Sequence, residues 1–181
     1  MKKTILFLTI NIIFLTTSYV LAQTCTNYTF DRWKDSRYTD NKDGTITDKQ
    51  TNLMWKKCSE GLFFLISSND CGSVAQAFTW KDALKTSKET INSTNNRNFA
   101  GHNDWRLPNI KELGSLVTNR CFNPSINETI FPSTPSNVFW SSSPGSGSRS
   151  WQVNFNSAND TSGHRIVVSS KGYVRLVRFV Q

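Results

Sequence analysis

The chain has 181 residues, with 21 Lys and Arg against 13 Asp and Glu, for a net charge of +8 at pH 7. That length fits one domain once a leader is set aside, and the absence of any internal repeat or heptad pattern excludes a solenoid or coiled coil. The basic balance points toward acidic partners such as anionic polysaccharide or a membrane surface, and a solvated basic surface is the plainer alternative.

The first segment reads as an address. Lys2 and Lys3 precede an apolar run from Ile5 to Leu15, and Val20-Leu-Ala22 supplies small residues for cleavage, so residues 1–22 are expected to be a signal peptide. The run is short for a membrane span of ~20 residues. Residues 23–36 form a polar arm carrying Tyr28, Phe30 and Trp33. Export implies an oxidising compartment, so the four cysteines are expected to form two disulfides. Three connectivities are possible. Cys58 and Cys71 bracket a local loop, which leaves Cys25 to join Cys121. No Cys-x-x-Cys pair suggests a metal.

The domain is expected over residues 37–181. A hairpin turns at Asn41-Lys-Asp-Gly44, a second turn follows at residues 48–52, and Leu53-Met-Trp55 begins the next strand. The Asp/Gly string lacks the first Asp and twelfth Glu of an EF-hand, so a looser calcium site at Asp40, Asp43 and Asp48 is the weaker reading beside turn chemistry. A helix is predicted over residues 78–89, capped by Thr79, with Trp80, Ala83, Leu84 and Ser87 on one face. A second helix is predicted over 109–117, with Ile110, Leu113, Leu116 and Val117 as its stripe. A strand is expected over 138–142, a Ser/Gly loop over 141–150, and a strand over 151–155. Residues 165–168 and 173–179 are expected to close the fold as a hairpin around Ser169-Ser-Lys-Gly172. The order predicts an α+β fold, two helices packed on an antiparallel sheet with long loops.

Five strings in fixed order carry a resemblance. They are Arg37-Tyr-Thr-Asp-Asn-Lys-Asp-Gly-Thr-Ile-Thr-Asp48, Leu53-Met-Trp-Lys-Lys-Cys58, Ala100-Gly-His-Asn-Asp-Trp-Arg-Leu-Pro-Asn109, Phe139-Trp-Ser-Ser-Ser143 and Tyr173-Val-Arg-Leu-Val-Arg178. Together they resemble the Lcl C-terminal domain family, a domain of unknown function named after a Legionella collagen-like surface adhesin. The helices, loops and disulfides also resemble a C-type lectin-like fold. The namesake domain is implicated in binding sulfated glycosaminoglycans, so the resemblance implies an adhesin-like module for sulfated or carboxylated polysaccharide at the bacterial surface, in the periplasm or secreted.

The residues themselves give few catalytic candidates. No serine sits in a nucleophile elbow, paired carboxylates are lacking, and a His102–Asp104 dyad two residues apart is more simply loop ordering. An enzyme, a cofactor and nucleic-acid binding are therefore not expected. Trp55, Trp80, Trp105, Trp140 and Trp151 are expected in the core, with Arg106 in a structural ion pair, Asp104 being the local candidate partner, or in hydrogen bonds to loop carbonyls. Trp33 or Trp151 is open to stacking on a sugar. The remaining candidates are Arg149, Arg165, Lys171 and Arg175, which would converge at one end of the closing hairpin as an acidic-ligand patch. Strand alternation puts Arg175 and Arg178 on opposite sides, so at most one is expected to line the core. A structural or assembly subunit that binds another envelope protein is the second functional reading.

Overall fold

The computed structural model describes residues 23–26, 34–92, 99–156 and 163–180. The expected signal peptide, Tyr28, Phe30 and Trp33 lie outside the described residues, as do the side chains of Ser87 and Lys88.

In chain order the strands are β1 (Thr24–Cys25), β2 (Tyr38–Asp40), β3 (Thr45–Asp48), β4 (Leu53–Lys56), β5 (Phe63–Leu65) and β6 (Asp70–Gly72). Helices α1 (Trp80–Asn92) and α2 (Ile110–Gly114) follow, then β7 (Cys121–Phe122), β8 (Val138–Pro144), β9 (Arg149–Asn154), β10 (His164–Val167) and β11 (Val177–Phe179). They build a four-stranded sheet of order β11-β4-β3-β2, a three-stranded sheet β10-β9-β8, and two-stranded pairs β1-β7 and β5-β6.

The α+β expectation, with two helices packed on an antiparallel sheet in a C-type lectin-like arrangement, is corrected by this architecture, which is mostly β. Strands as short as Thr24–Cys25 and Cys121–Phe122 span too few residues for a period-two pattern to show. The second helix is also shorter than its apolar stripe suggests. It ends at Gly114, and Leu116 and Val117 reach the core from the turn beyond it.

The first hairpin forms as its turn residues dictate. Lys42 and Gly44 take positive φ, and Asp40 and Asp43 accept the backbone N–H groups of Lys42 and Thr45. Asp40 then pairs with Ile46, and Ile46 with Trp55 in the next strand. The closing hairpin does not form. Strand β10 pairs with β9, placing Val167 opposite Arg149, while β11 crosses the molecule to pair with β4, Phe179 opposite Leu53.

Two apolar clusters make up the core. One gathers Ile46, Leu53, Trp55, Leu113, Phe131, Phe139, Val153, Phe155 and Val177. The other gathers Ala83, Trp105, Leu107, Trp140, Val174 and Leu176. Consecutive residues of β8 point to opposite faces, so Phe139 enters the first cluster and Trp140 the second. Trp80 is only half-buried and donates from its indole nitrogen to the Ser141 carbonyl at 2.8 Å. The expected bridges are both present, Cys58–Cys71 within the β5–β6 region and Cys25–Cys121 between β1 and β7.

Candidate ligand-binding face

The register of β9 on β10 assembles the site. With Arg165 opposite Trp151 and Val167 opposite Arg149, these four residues share one face of the three-stranded sheet. Arg149 and Arg165 are exposed, and Trp151 is half-buried. The Arg165 guanidinium lies 5.5 Å from the Trp151 ring centroid, and its Nη1 donates to Ser146 Oγ at 2.7 Å. Gly145 makes this crossing possible, since a Cβ there would stand 3.1 Å from Arg165 Cδ and 2.9 Å from the Arg149 carbonyl oxygen. Among the described residues neither arginine has a carboxylate partner. A planar, charged fork held over an indole is suited to sulfate or carboxylate, which it can meet with two parallel hydrogen bonds.

The other two predicted patch residues go elsewhere. Lys171 is exposed beside a separate cleft of about 350 Å³ shared with Thr79, Asp82 and Lys85. Arg175 is corrected outright, because it is fully buried. Its Nη1 donates to the Lys56 carbonyl at 3.0 Å and to the Lys57 carbonyl, and its Nη2 to Ser59 Oγ at 3.1 Å and Thr134 Oγ1 at 2.7 Å. The guanidinium lies 4.9 Å from the Phe131 ring centroid. Arg178, on the opposite side of the chain, is buried too and bonds Asp104 at 2.6 Å. Alternation across this segment therefore puts both arginines inside, because an apolar cluster lies on each side of it.

That pairing also corrects the expected partner of Arg106, which is Glu112 and not Asp104. Nη1 and Nη2 of Arg106 reach the two carboxylate oxygens of Glu112 at 2.8 and 2.7 Å. Glu112 accepts the Asn109 N–H as well, while Asn109 Oδ1 accepts the Glu112 N–H, a capping box that starts α2. One carboxylate thus fixes both the helix start and the arginine. His102 stacks edge-on to Trp105 and does not hydrogen-bond Asp104 among the described residues. The three aspartates of the first hairpin do not converge on a cation. Asp48 is paired with Arg37, Asp40 with Lys57 and Lys42, and Asp43 bonds Thr45. Among the described residues no cluster of three or more His, Cys, Asp or Glu could hold a metal ion.

These ion pairs make the fold acid-sensitive. Burial disfavours the charged carboxylates of Asp48 and Glu112, but hydrogen bonds from Arg37 and Thr51, and from Arg106 and Asn109, more than offset it and lower both pKa values. A carboxylate with a depressed folded pKa contributes stability that is present above the unfolded value of about 4 and lost as pH falls through the folded one. The melting temperature should therefore hold between about pH 7 and 5 and fall below about pH 4. Asp48→Asn should be less stable at neutral pH, with a shallower acid slope, when thermal unfolding is followed by circular dichroism. Identical acid slopes for both proteins would remove Asp48 as a cause.

Sequence reasoning named Trp151 but missed Gly145 and Ser146, whose part depends on a β8–β9 loop folding back on β10. Among the described residues no helix is long and apolar enough to cross a membrane. The two disulfides are consistent with an extracellular or envelope protein. No curated protein matches the chain. The family model of the Lcl C-terminal domain matches residues 44–178, a span that takes in β3 at one end and Arg178 of β11 at the other. Having that match over most of its length, the chain belongs to the Lcl C-terminal domain family.

Proposed function

We propose that this protein is an exported binding module of the bacterial envelope that takes anionic polysaccharide on the Arg149–Trp151–Arg165 face. The observation that carries the reading is the exposed Arg165 fork, held over Trp151 beside a second exposed arginine and, among the described residues, without a carboxylate to neutralise either. Sulfate or carboxylate groups would meet the forks, and the apolar face of a sugar ring would meet the indole edge. The mature protein should be retained on heparin and released by rising salt, because charge attraction is screened over about 8 Å at physiological ionic strength. Replacing Arg149 and Arg165 with Gln should weaken affinity by about tenfold per arginine and move elution to lower salt. The charge-matched pair Lys85→Gln and Lys171→Gln should move it much less. Equal shifts would mean that net charge alone is responsible.

A second reading, docking to another envelope protein, is favoured by apolar side chains around the β5–β6 hairpin. Ile66 and Val74 are 81% and 82% exposed. Such a contact would survive the salt that releases heparin.

A further inference from the structure

We propose a second ligand site, for a neutral polyhydroxylated sugar ring, in the cavity between the end of β4 and the β5–β6 hairpin. It shares no residue with the arginine face and does not depend on it. The cavity is about 280 Å³, near the lower limit for ligand pockets, which suits one ring and not an oligosaccharide.

The wall combines three aromatic rings with one ion pair. Lys56 Nζ meets Glu60 Oε1 at 3.0 Å, with both side chains largely removed from water, at 7% and 13% exposure. An ion pair placed this way contributes little to stability relative to apolar packing; Glu60 also offsets the charge of buried Arg175, and the pair still lines the cavity. The Phe99 ring centroid is 4.6 Å from Lys56 Nζ. Phe64 and Phe99 both close on Gly44, where a Cβ would stand 3.1 Å from Phe64 Cγ and 2.8 Å from Phe99 Cζ. Phe63 lines the cavity while remaining 57% exposed. The Cys58–Cys71 bridge ties the hairpin that carries Phe63 and Phe64, so the walls are held before any ligand arrives.

The chemistry selects the ligand class by elimination. An anion would meet the Glu60 carboxylate, and a cation the Lys56 ammonium. A hydrocarbon would leave the two charges with only the bond they make to each other and their remaining donors and acceptors unmet. A hydroxyl donates and accepts at once, so adjacent sugar hydroxyls can bond to Lys56 and Glu60 together while the C–H face of the ring packs on phenylalanine.

The test is a nitrogen–proton NMR titration of the mature protein with methyl glucoside, galactose and N-acetylglucosamine, and with glucuronate and glucosamine as charged controls. At least one neutral sugar should give saturating shifts at Gly61, Leu62, Phe63 and Phe99. Both charged sugars should bind about tenfold more weakly or worse. Phe63→Ser, at an exposed position that leaves the fold intact, should weaken the neutral sugar about fivefold. Glu60→Gln should weaken it further and narrow the gap to glucuronate. The same shifts should persist in the protein carrying Gln at 149 and 165, which separates this site from heparin binding. Absence of saturating shifts with every neutral sugar, glucuronate binding as tightly as the neutral ring, or full affinity in Phe63→Ser would each overturn the proposal.

Discussion

Arg175→Met is expected to cost the folded protein about 4 kcal/mol or more, enough to consume much of a typical domain's 5–15 kcal/mol. The reason is the company the guanidinium keeps. It donates to two backbone carbonyls and two hydroxyls in a site closed to solvent, and among the described residues no carboxylate shares the load through a hydrogen bond. Methionine fills much of the volume and packs on Phe131, yet it donates nothing, so the Lys56 and Lys57 carbonyls lose a donor that water cannot replace. Burial also pulls the Arg175 pKa down, to about 9, and the charge of Glu60 offsets only part of that. Arg175→Lys should recover only part of the loss, since a single ammonium cannot span four acceptors. Urea unfolding with an unchanged slope and a lower midpoint is the expected record. A midpoint within error of the parent would show that those acceptors rebond elsewhere.

Trp105→Ala should be nearly as damaging, at ~3–5 kcal/mol for truncating a buried aromatic. The indole is 2% exposed, packs edge-on to Phe99 at 5.8 Å between centroids, and donates from Nε1 to the Phe99 carbonyl at 3.2 Å. Its loss would open the second core cluster and release Phe99. Trp105→Phe keeps most of the packing and should cost about half as much. If Trp105→Ala unfolds at the parent's urea midpoint, the indole is not the core element its burial indicates.

The parts of this fold that were legible in sequence are those whose cause is local. The turn at 41–44 needs Asp side chains and a positive φ at Gly44, and both stand in the string itself. Thr79 accepts the Asp82 N–H at 3.3 Å, as capping chemistry predicts. The bridges followed from loop closure and compartment. The misreadings share the opposite property. Residues 165–168 and 173–179 look like a hairpin because each alternates and a turn lies between them, but pairing is decided by which edges are open, and β9 and β4 offered theirs. Arg106 lies two residues from Asp104, yet the capping carboxylate of α2 gives its guanidinium a two-pronged partner. Four basic residues near the C-terminal end looked like one patch. Only the register could separate Arg149 and Arg165 from the buried Arg175, because composition does not say which side of a strand meets a core.

The pairing of β11 with β4 has a consequence for the order in which the chain can fold. Strands β2, β3 and β4 are neighbours in sequence and can pair as soon as they emerge from the ribosome. The outer edge of β4 must wait for Val177 and Phe179, the amide of Lys56 for the Leu176 carbonyl, and the carbonyls of Lys56 and Lys57 for Arg175. A chain made from its N-terminus therefore holds an open, apolar sheet edge until nearly all of these residues are out. Contacts of such long sequence separation slow folding, so the last segment acts as a clasp whose arrival sets the pace. Under the export proposed above, that delay would be an asset, because it would keep the chain open for crossing a membrane.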